Sequence, residues 1–298
     1  MQHLSLQDVM YTSQHASSNV HSPLVFAGNP EKTITRHCPA CGTDNTHEPA
    51  MPFSSAEWPM KQCSACDMVY LEKAWSVDVL YEEFAWEKSV EVEDKRRGEI
   101  RGAERKISKL LRKRLGLLPR KNAAKLIAQY APAGNALDVG SGSGHHLMQL
   151  PNDYVPYGIE ISTQAVRDGL PAIRARGGNL VNKDALGGMQ TFKANFFVGI
   201  IMRSFLEHDN CPKDTLLEVQ RILKPGGVVV IKVPNYGCIN RIVMGKKWCG
   251  YRFPEHVNYF TPETLRNMLA HTGLAVKRFS MFDRLPTSDN MWLIAIKH

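Results

Sequence analysis

From Ala136 onward the chain alternates short apolar runs with amphipathic stretches. The runs "ALDVGS", "VPYGIEIS", "NLVNKDA", "FFVGIIMR" and "GVVVIKVPN" read as strands, with helices over Thr163–Arg176 and Lys213–Leu223 between them. This βαβ rhythm predicts an α/β fold in which helices cover both faces of a mostly parallel sheet. The tail adds a helix opened by "TPETL", where Thr261 can cap and Pro262 suits the first turn. Two further strands follow, "AVKRFSMF" and "NMWLIAIKH".

The first half of the chain is patterned differently. Residues 1–35 are polar and rich in Ser, His and Asn, and read as a loosely attached arm. Residues 36–75 hold two cysteine pairs. Over residues 76–130 apolar positions such as Ile107, Leu110, Leu111 and Leu115 recur at helical spacing, which predicts a helical connector or cap. The α/β region then occupies residues 131–298, with an insertion over 236–260.

Of 298 residues, 43% are hydrophobic and 22% charged, ordinary values for a globular protein with a substantial core. No run approaches the roughly 18 apolar residues of a membrane span, and the N-terminus lacks the layout of a secretory signal. A cytoplasmic location is expected. The net charge of +8 is local in origin, because Lys95–Lys121 holds twelve Lys/Arg against two Glu. Such a segment is a solvated face or an attractor for a phosphate-bearing acceptor.

Gly140, Gly142 and Gly144 follow the first strand of the α/β region as G-x-G-x-G, which differs from the G-x-G-x-x-G of dinucleotide sites. Asp138 stands at the entrance of this loop, where it would repel a pyrophosphate and attract a ligand bearing an ammonium and a sulfonium. Glu160 ends the second strand, 22 residues on, where a carboxylate can accept from both ribose hydroxyls. Asp184 ends the third and is placed to accept from an adenine amino group. Ile161 and Ala185, next to these acids, are counted with them. Three acids at successive strand ends converge on the carboxyl edge of the sheet, where open α/β sheets bind ligands. An NAD-dependent dehydrogenase fits this pattern poorly.

The segments "ALDVGSGSG", "GIEIS", "NKDA", "FLEH" and "RILKPGG" resemble the class I S-adenosylmethionine (SAM)-dependent methyltransferases. The resemblance implies a Rossmann-like seven-stranded sheet whose last strand is antiparallel. It also implies that Gly140, Gly142 and Gly144 line the methionine part of SAM, Glu160 the ribose and Asp184 the adenine. One position departs from the family pattern: Val198 in "FVGI" stands where an aspartate is frequent. A packing change is expected there, without loss of cofactor binding.

Cys38-x2-Cys41 and Cys63-x2-Cys66 are separated by 21 residues, close to zinc-ribbon spacing. Four thiolates would close a tetrahedral sphere, so a structural zinc is expected, with an iron–sulfur cluster or a redox dithiol as alternatives. A zinc-ribbon-like segment ahead of a SAM domain also resembles bacterial natural-product and sugar methyltransferases. Cys211, Cys238 and Cys249 lack ligand spacing.

Methyl transfer needs positioning and, where the acceptor must lose a proton, a base. The stretch "MRSFLEHDN" follows the fourth strand and brings Arg203, Ser204, Glu207 and His208 near the cofactor's methyl. His208 is one candidate base. His256 stands level with it and Tyr259 behind it, both in the aromatic insertion "NYGCINRIVMGKKWCGYRFPEHVNYFTPETL", which suits a lid or acceptor wall. Tyr81 and Phe84 could cap the site from the N-terminal side.

The leading reading is a SAM-dependent methyltransferase of a small biosynthetic acceptor, at O, C or N, in secondary-metabolite or sugar biosynthesis, with phosphate-bearing and carrier-bound molecules among the acceptors considered. A nucleic-acid methyltransferase using the cysteine module and basic helix is the alternative, disfavoured because no N/D-P-P-Y/F signature follows the fourth strand. A non-catalytic SAM-binding assembly module is a third.

Overall fold

The computed structural model describes residues 33–76 and 121–298. The basic segment up to residue 120, Tyr81 and Phe84, and most of the arm and connector lie outside the described residues. In chain order the elements are strands β1 (Thr33–Thr35), β2 (Met60–Gln62), β3 (Val69–Leu71) and β4 (Lys73–Trp75), then helix α1 (Ala123–Tyr130) and β5 (Asn135–Val139). There follow β6 (Val155–Glu160), α2 (Thr163–Ala175), β7 (Asn179–Asn182), α3 (Ala185–Met189), β8 (Phe197–Arg203), α4 (Pro212–Ile222) and β9 (Leu223–Pro234). The C-terminal part adds α5 (Ile239–Met244), β10 (Asn258–Tyr259), α6 (Pro262–His271), β11 (Leu274–Arg278) and β12 (Asn290–Lys297).

Seven strands form the main sheet, in the order β11-β12-β9-β8-β5-β6-β7. The pairs β5–β6, β5–β8, β6–β7 and β8–β9 are parallel, whereas β12 runs antiparallel to both β9 and β11. The expected Rossmann-like sheet with an antiparallel last strand is present. Strands β8 and β9 are apolar on both faces, Ile200, Ile201, Met202, Val229 and Ile231 being almost wholly buried, which only a helix-covered sheet can satisfy. Strand order reverses between β5 and β8. That switch point opens a crevice at the carboxyl edge, bounded by the loop after β5 and the loop after β8.

Val198 lies at the start of β8, buried against Gly134; a Cβ on that glycine would sit 3.0 Å from Val198 Cγ1. The departure from the family pattern is thus met by close packing at the strand's amino end. Thr261 caps α6 as expected: its side chain accepts from the Thr264 amide, and Thr264 returns a bond to the Thr261 amide.

The cysteine module is built into the insertion. Strand β3 pairs with β2 on one side and with β10 on the other, Asn258 opposite Tyr70 and Tyr259 opposite Val69. Thr33–Thr35, read as arm from the sequence, forms β1 against β4, because the alternation Thr-Ile-Thr buries Ile34 and pairs its backbone. One apolar cluster joins Trp58, Met60, Val69 and Leu71 of the module to Tyr236, Trp248, Tyr251 and Tyr259 of the insertion.

A polar tie runs through this junction. The buried Arg36 guanidinium donates to the Val257 carbonyl at 3.1 Å and to Asn258 Oδ1 at 2.7 Å. Asn258 Nδ2 in turn donates to the carbonyls of Leu206 and Asp209 in the loop after β8, at 2.7 and 2.6 Å. Truncating Asn258 takes from a buried cation its side-chain acceptor and from the Leu206 and Asp209 carbonyls their side-chain donor. The variant Asn258→Ala is expected to lose about 3 kcal/mol of stability, read as a lower urea midpoint with an unchanged slope.

Candidate active site

The loop after β5 is shaped by three left-handed glycines: Gly140, Gly142 and Gly144 have φ of 72°, 53° and 81°. It folds back over β6, where the amides of Gly140 and Ser141 both donate to the Ile159 carbonyl, at 2.9 and 3.1 Å. Gly158 permits this approach, since a Cβ there would fall 2.4 Å from Ser141 Oγ. Glu160 closes the arrangement. Its Oε2 accepts from the Gly142 amide at 2.7 Å and its Oε1 from the Ser162 amide at 2.8 Å. A carboxylate has roughly four acceptor positions, so the two bonds that hold the loop leave capacity for a vicinal diol.

Asp138 lies beneath the loop and is buried, and burial, reinforced by the nearby Glu160 charge and opposed by Arg203, lifts its carboxyl well above the usual range. Asp184 caps α3, its Oδ1 accepting from the Gly187 amide at 2.8 Å. Ile161 and Ala185 are half-buried beside these acids, and the Ile161 carbonyl accepts from Asn182 Nδ2 at 2.9 Å. The acids named from the sequence therefore sit at or just beyond the carboxyl ends of β5, β6 and β7, as the register of three adjacent parallel strands requires.

Across the crevice, Arg203 ends β8 and its Nη1 meets His146 Nε2 at 2.9 Å. Ser204 then takes a left-handed φ of 54°, rare for a residue with a side chain. It is held by its amide on the Lys232 carbonyl and by Lys232 Nζ on its hydroxyl, both at 2.8 Å. This turn sends Phe205 back onto the glycine loop, so that a Cβ on Gly140 would lie 3.1 Å from its ring.

Glu207 and His208 come next. The Glu207 carbonyl accepts from the amides of Val257 and Asn258, at 2.8 and 3.1 Å, which brings His256 from the insertion beside His208. The two rings are edge to face, centroids 4.7 Å apart. Each Nδ1 reaches a carbonyl at 2.9 Å, His208 that of Glu255 and His256 that of Gly250. A carbonyl only accepts, so both Nδ1 atoms carry the hydrogen and both Nε2 atoms keep lone pairs. Burial, with help from Arg252 and Lys232, lowers His208 to about 3, and burial, with His208 and Arg252, holds His256 well below the usual imidazole range. Burial pushes the Glu207 carboxyl up to about 7 against the pull of Lys232, Arg252 and Arg203.

Tyr259 is not brought to this cluster. Alternation along β10 turns it away from Asn258 and into the aromatic packing of Tyr236, Tyr251 and Phe253, where burial raises its phenol well above 10. Nothing in the sequence signalled the Arg36–Asn258 tie, and the grouping of Glu207 with both histidines spans 49 positions with no spacing rule to reveal it. A separate cleft of about 410 Å³ between the cysteine module and α6, lined by Gln62, Asp67, Arg241 and Glu263 among others, shares no residue with the glycine loop or the histidine pair.

The two cysteine knuckles are built alike. The first cysteine of each accepts from the amide four residues on, Gly42 onto Cys38 and Asp67 onto Cys63, and donates to the carbonyl five residues on. Gly42 and Asp67, at the same point of each turn, both have positive φ, 79° and 60°. The knuckles face one another with Cys38 Sγ 3.5 Å from Cys66 Sγ and Cys41 Sγ 3.5 Å from Cys63 Sγ, and all four sulfurs lie within 4.8 Å. A tetrahedron with metal–sulfur bonds of about 2.3 Å has edges near 3.8 Å, so the donor set fits a zinc ion.

A Rossmann-like sheet, a glycine loop pinned by the acid at the end of the next strand, and a polar loop across the switch point define a SAM-dependent methyltransferase. A family profile described as "Methyltransferase domain" matches residues 101–278, and the chain belongs to that family. An uncharacterized protein of Methanocaldococcus jannaschii is 24% identical over 157 residues, 51% of this chain and 70% of that one. A SAM-dependent methyltransferase structure from Archaeoglobus fulgidus is 17% identical, with 67% of this chain and 97% of that chain covered and a TM-score of 0.47. Another, from Methanosarcina mazei, is 21% identical, with 58% and 96% covered and a TM-score of 0.46.

Adding a methyl at Gly140 strains a left-handed residue and presses on Phe205. Gly140→Ala is therefore expected to weaken binding of S-adenosylhomocysteine (SAH) about tenfold, at a cost of about 1–2 kcal/mol, measurable by calorimetric titration.

Proposed function

We propose that this protein transfers the methyl group of SAM to a small biosynthetic acceptor held between the loop after β8 and the insertion, with the cysteine module forming the far wall. Secondary-metabolite or sugar biosynthesis in the cytoplasm is the setting this reading implies. The observation that carries it is the largely buried polar cluster of Glu207, His208 and His256, which joins the loop after β8 to the insertion at the same carboxyl edge as the glycine loop. Such a site admits one small polar group at a time, which favours a compact acceptor over a nucleic-acid strand.

Gly140, Gly142 and Gly144 would line the methionine part of SAM, and Glu160 would accept from its ribose hydroxyls with the capacity its two backbone bonds leave. Asp184, with Ile161 and Ala185, would face the adenine. Asp138 and Arg203 would flank the amino-acid end. When bound, SAM supplies a methyl group on a sulfonium, open to attack by an oriented nucleophile. Activation of the acceptor is assigned to His208 and His256. Tyr259 drops behind them, because its phenol is sealed in the aromatic packing.

The four knuckle cysteines are assigned to a structural zinc. With no open coordination position, the ion would fix the two turns and, through β3 and β10, the wall of the acceptor site.

Two measurements test this reading. SAH should bind the zinc-quantified protein, and Glu160→Ala should weaken that binding by about 100-fold, since both charge-assisted loop bonds and the diol acceptor are removed. Undiminished affinity in a folded variant would remove Glu160 from the cofactor site. One zinc per chain is expected by mass spectrometry. Its removal with a strong chelator should lower the thermal midpoint by several degrees, corresponding to about 2–4 kcal/mol; an unchanged midpoint would sink the structural role.

A further inference from the structure

Glu207, His208 and His256 pose a problem of charge. Each offers one ligand atom, and the three atoms lie within 4.8 Å of one another. Both histidine Nδ1 atoms are committed as donors to the Glu255 and Gly250 carbonyls, so the nitrogens left over are lone-pair bearers. Glu207 is 1% exposed and its Oε2 has no hydrogen-bond partner. The three ligand atoms thus converge in a largely buried site, an arrangement that costs free energy unless something positive, a proton or a metal ion, joins them.

The surroundings look arranged for a bound ion. A histidine that ligates a metal usually gives its other ring hydrogen to a backbone carbonyl, which fixes its tautomer and orientation, and both rings here do so. The segments bearing the three side chains are locked together by the Glu207 carbonyl, which accepts from Val257 and Asn258, and by Asn258, which donates to Leu206 and Asp209. Arg252 and Lys232 are the nearby cations. Arg252 is paired with Glu255 and Lys232 donates to Ser204, so each has another partner. His208 keeps part of its surface exposed.

We infer that Glu207, His208 and His256 form a second metal site, distinct from the cysteine cluster, that takes a divalent transition-metal ion through two imidazole nitrogens and one carboxylate oxygen and leaves positions open to an oxygen of the acceptor. Two nitrogens and one oxygen suit zinc, manganese or iron(II) better than magnesium or calcium, which prefer oxygen throughout. Bonds of about 2.1 Å need donors roughly 3.0–3.5 Å apart, so a movement on the order of 1 Å closes the cluster around an ion. The acceptor class follows from the open positions: a hydroxyl, enol or phenol, whose pKa falls when its oxygen binds the ion. The O–H bond then breaks with its electron pair left on oxygen, the proton passes to water, and no redox change occurs. This inference rests on the methyl-acceptor reading above, and it makes the two histidines ligands instead of proton acceptors.

Titration of the full chain with Co²⁺ alone, after treatment with a mild chelator that spares the cysteine cluster, tests it. Cobalt on thiolates gives intense charge-transfer absorption, whereas cobalt on nitrogen and oxygen gives only weak ligand-field bands. The expected result is one equivalent of Co²⁺ per chain with ligand-field bands alone. Binding should be about 100-fold weaker in Glu207→Gln and in His256→Asn. SAH titration of the same samples separates the two readings. Wild-type protein that binds SAH but takes up no such cobalt overturns the metal site and leaves the methyltransferase reading standing. Cobalt uptake without SAH binding would do the reverse. Cobalt bound equally by both variants places the ion elsewhere and overturns the assignment, and if either variant fails to bind SAH, His208→Gln replaces it.

Discussion

The hydrogen bonds around Asn258 hold together the parts of this molecule that chemistry needs side by side. One side chain bonds the loop after β8 through two carbonyls and accepts from Arg36 of the cysteine module, while its own amide and that of Val257 meet the Glu207 carbonyl. Burial gives these bonds their consequence. A cation as deep as Arg36 is tolerated only with acceptors in place, and its pKa falls to about 10 because burial disfavours its charge. The site is therefore only as ordered as this tie.

The cysteine module acquires its role from the same junction. A zinc-ribbon-like segment of this size has little core of its own and needs a staple, and it also borrows apolar surface from the insertion. Strand β3 completes the bargain by pairing with β10, next to the segment that carries His256. A metal at the knuckles would therefore steady the insertion from a distance, through backbone pairing and packed aromatics.

On the other side of the crevice the constraint is steric. Three left-handed glycines let the loop after β5 fold over β6, Gly158 leaves room beneath it, and Glu160 fastens it from below. The loop after β8 reaches the same place by a strained Ser204 that Lys232 holds at two points. Residues in such conformations persist where the surroundings over-determine them, and both lie at the switch point of the sheet.

The amino-acid sequence by itself determined the sheet, its strands and helices, the glycine loop, the acids at successive strand ends and the four-cysteine set. These are local signals: alternation, helical periodicity, capping at Thr261 and knuckle spacing are all written within a few residues of one another. Tertiary structure alone decided that the cysteine module shares a sheet with the insertion, that Tyr259 turns inward, and that Glu207 and His208 meet His256. Each of those depends on pairing across long stretches of chain, Val69 with Tyr259 or the Glu207 carbonyl with the Asn258 amide, and no periodicity encodes such a partner. Side-chain direction on β10 follows from its register against β3, and one residue of slip would have exchanged Asn258 and Tyr259 between the polar site and the aromatic core.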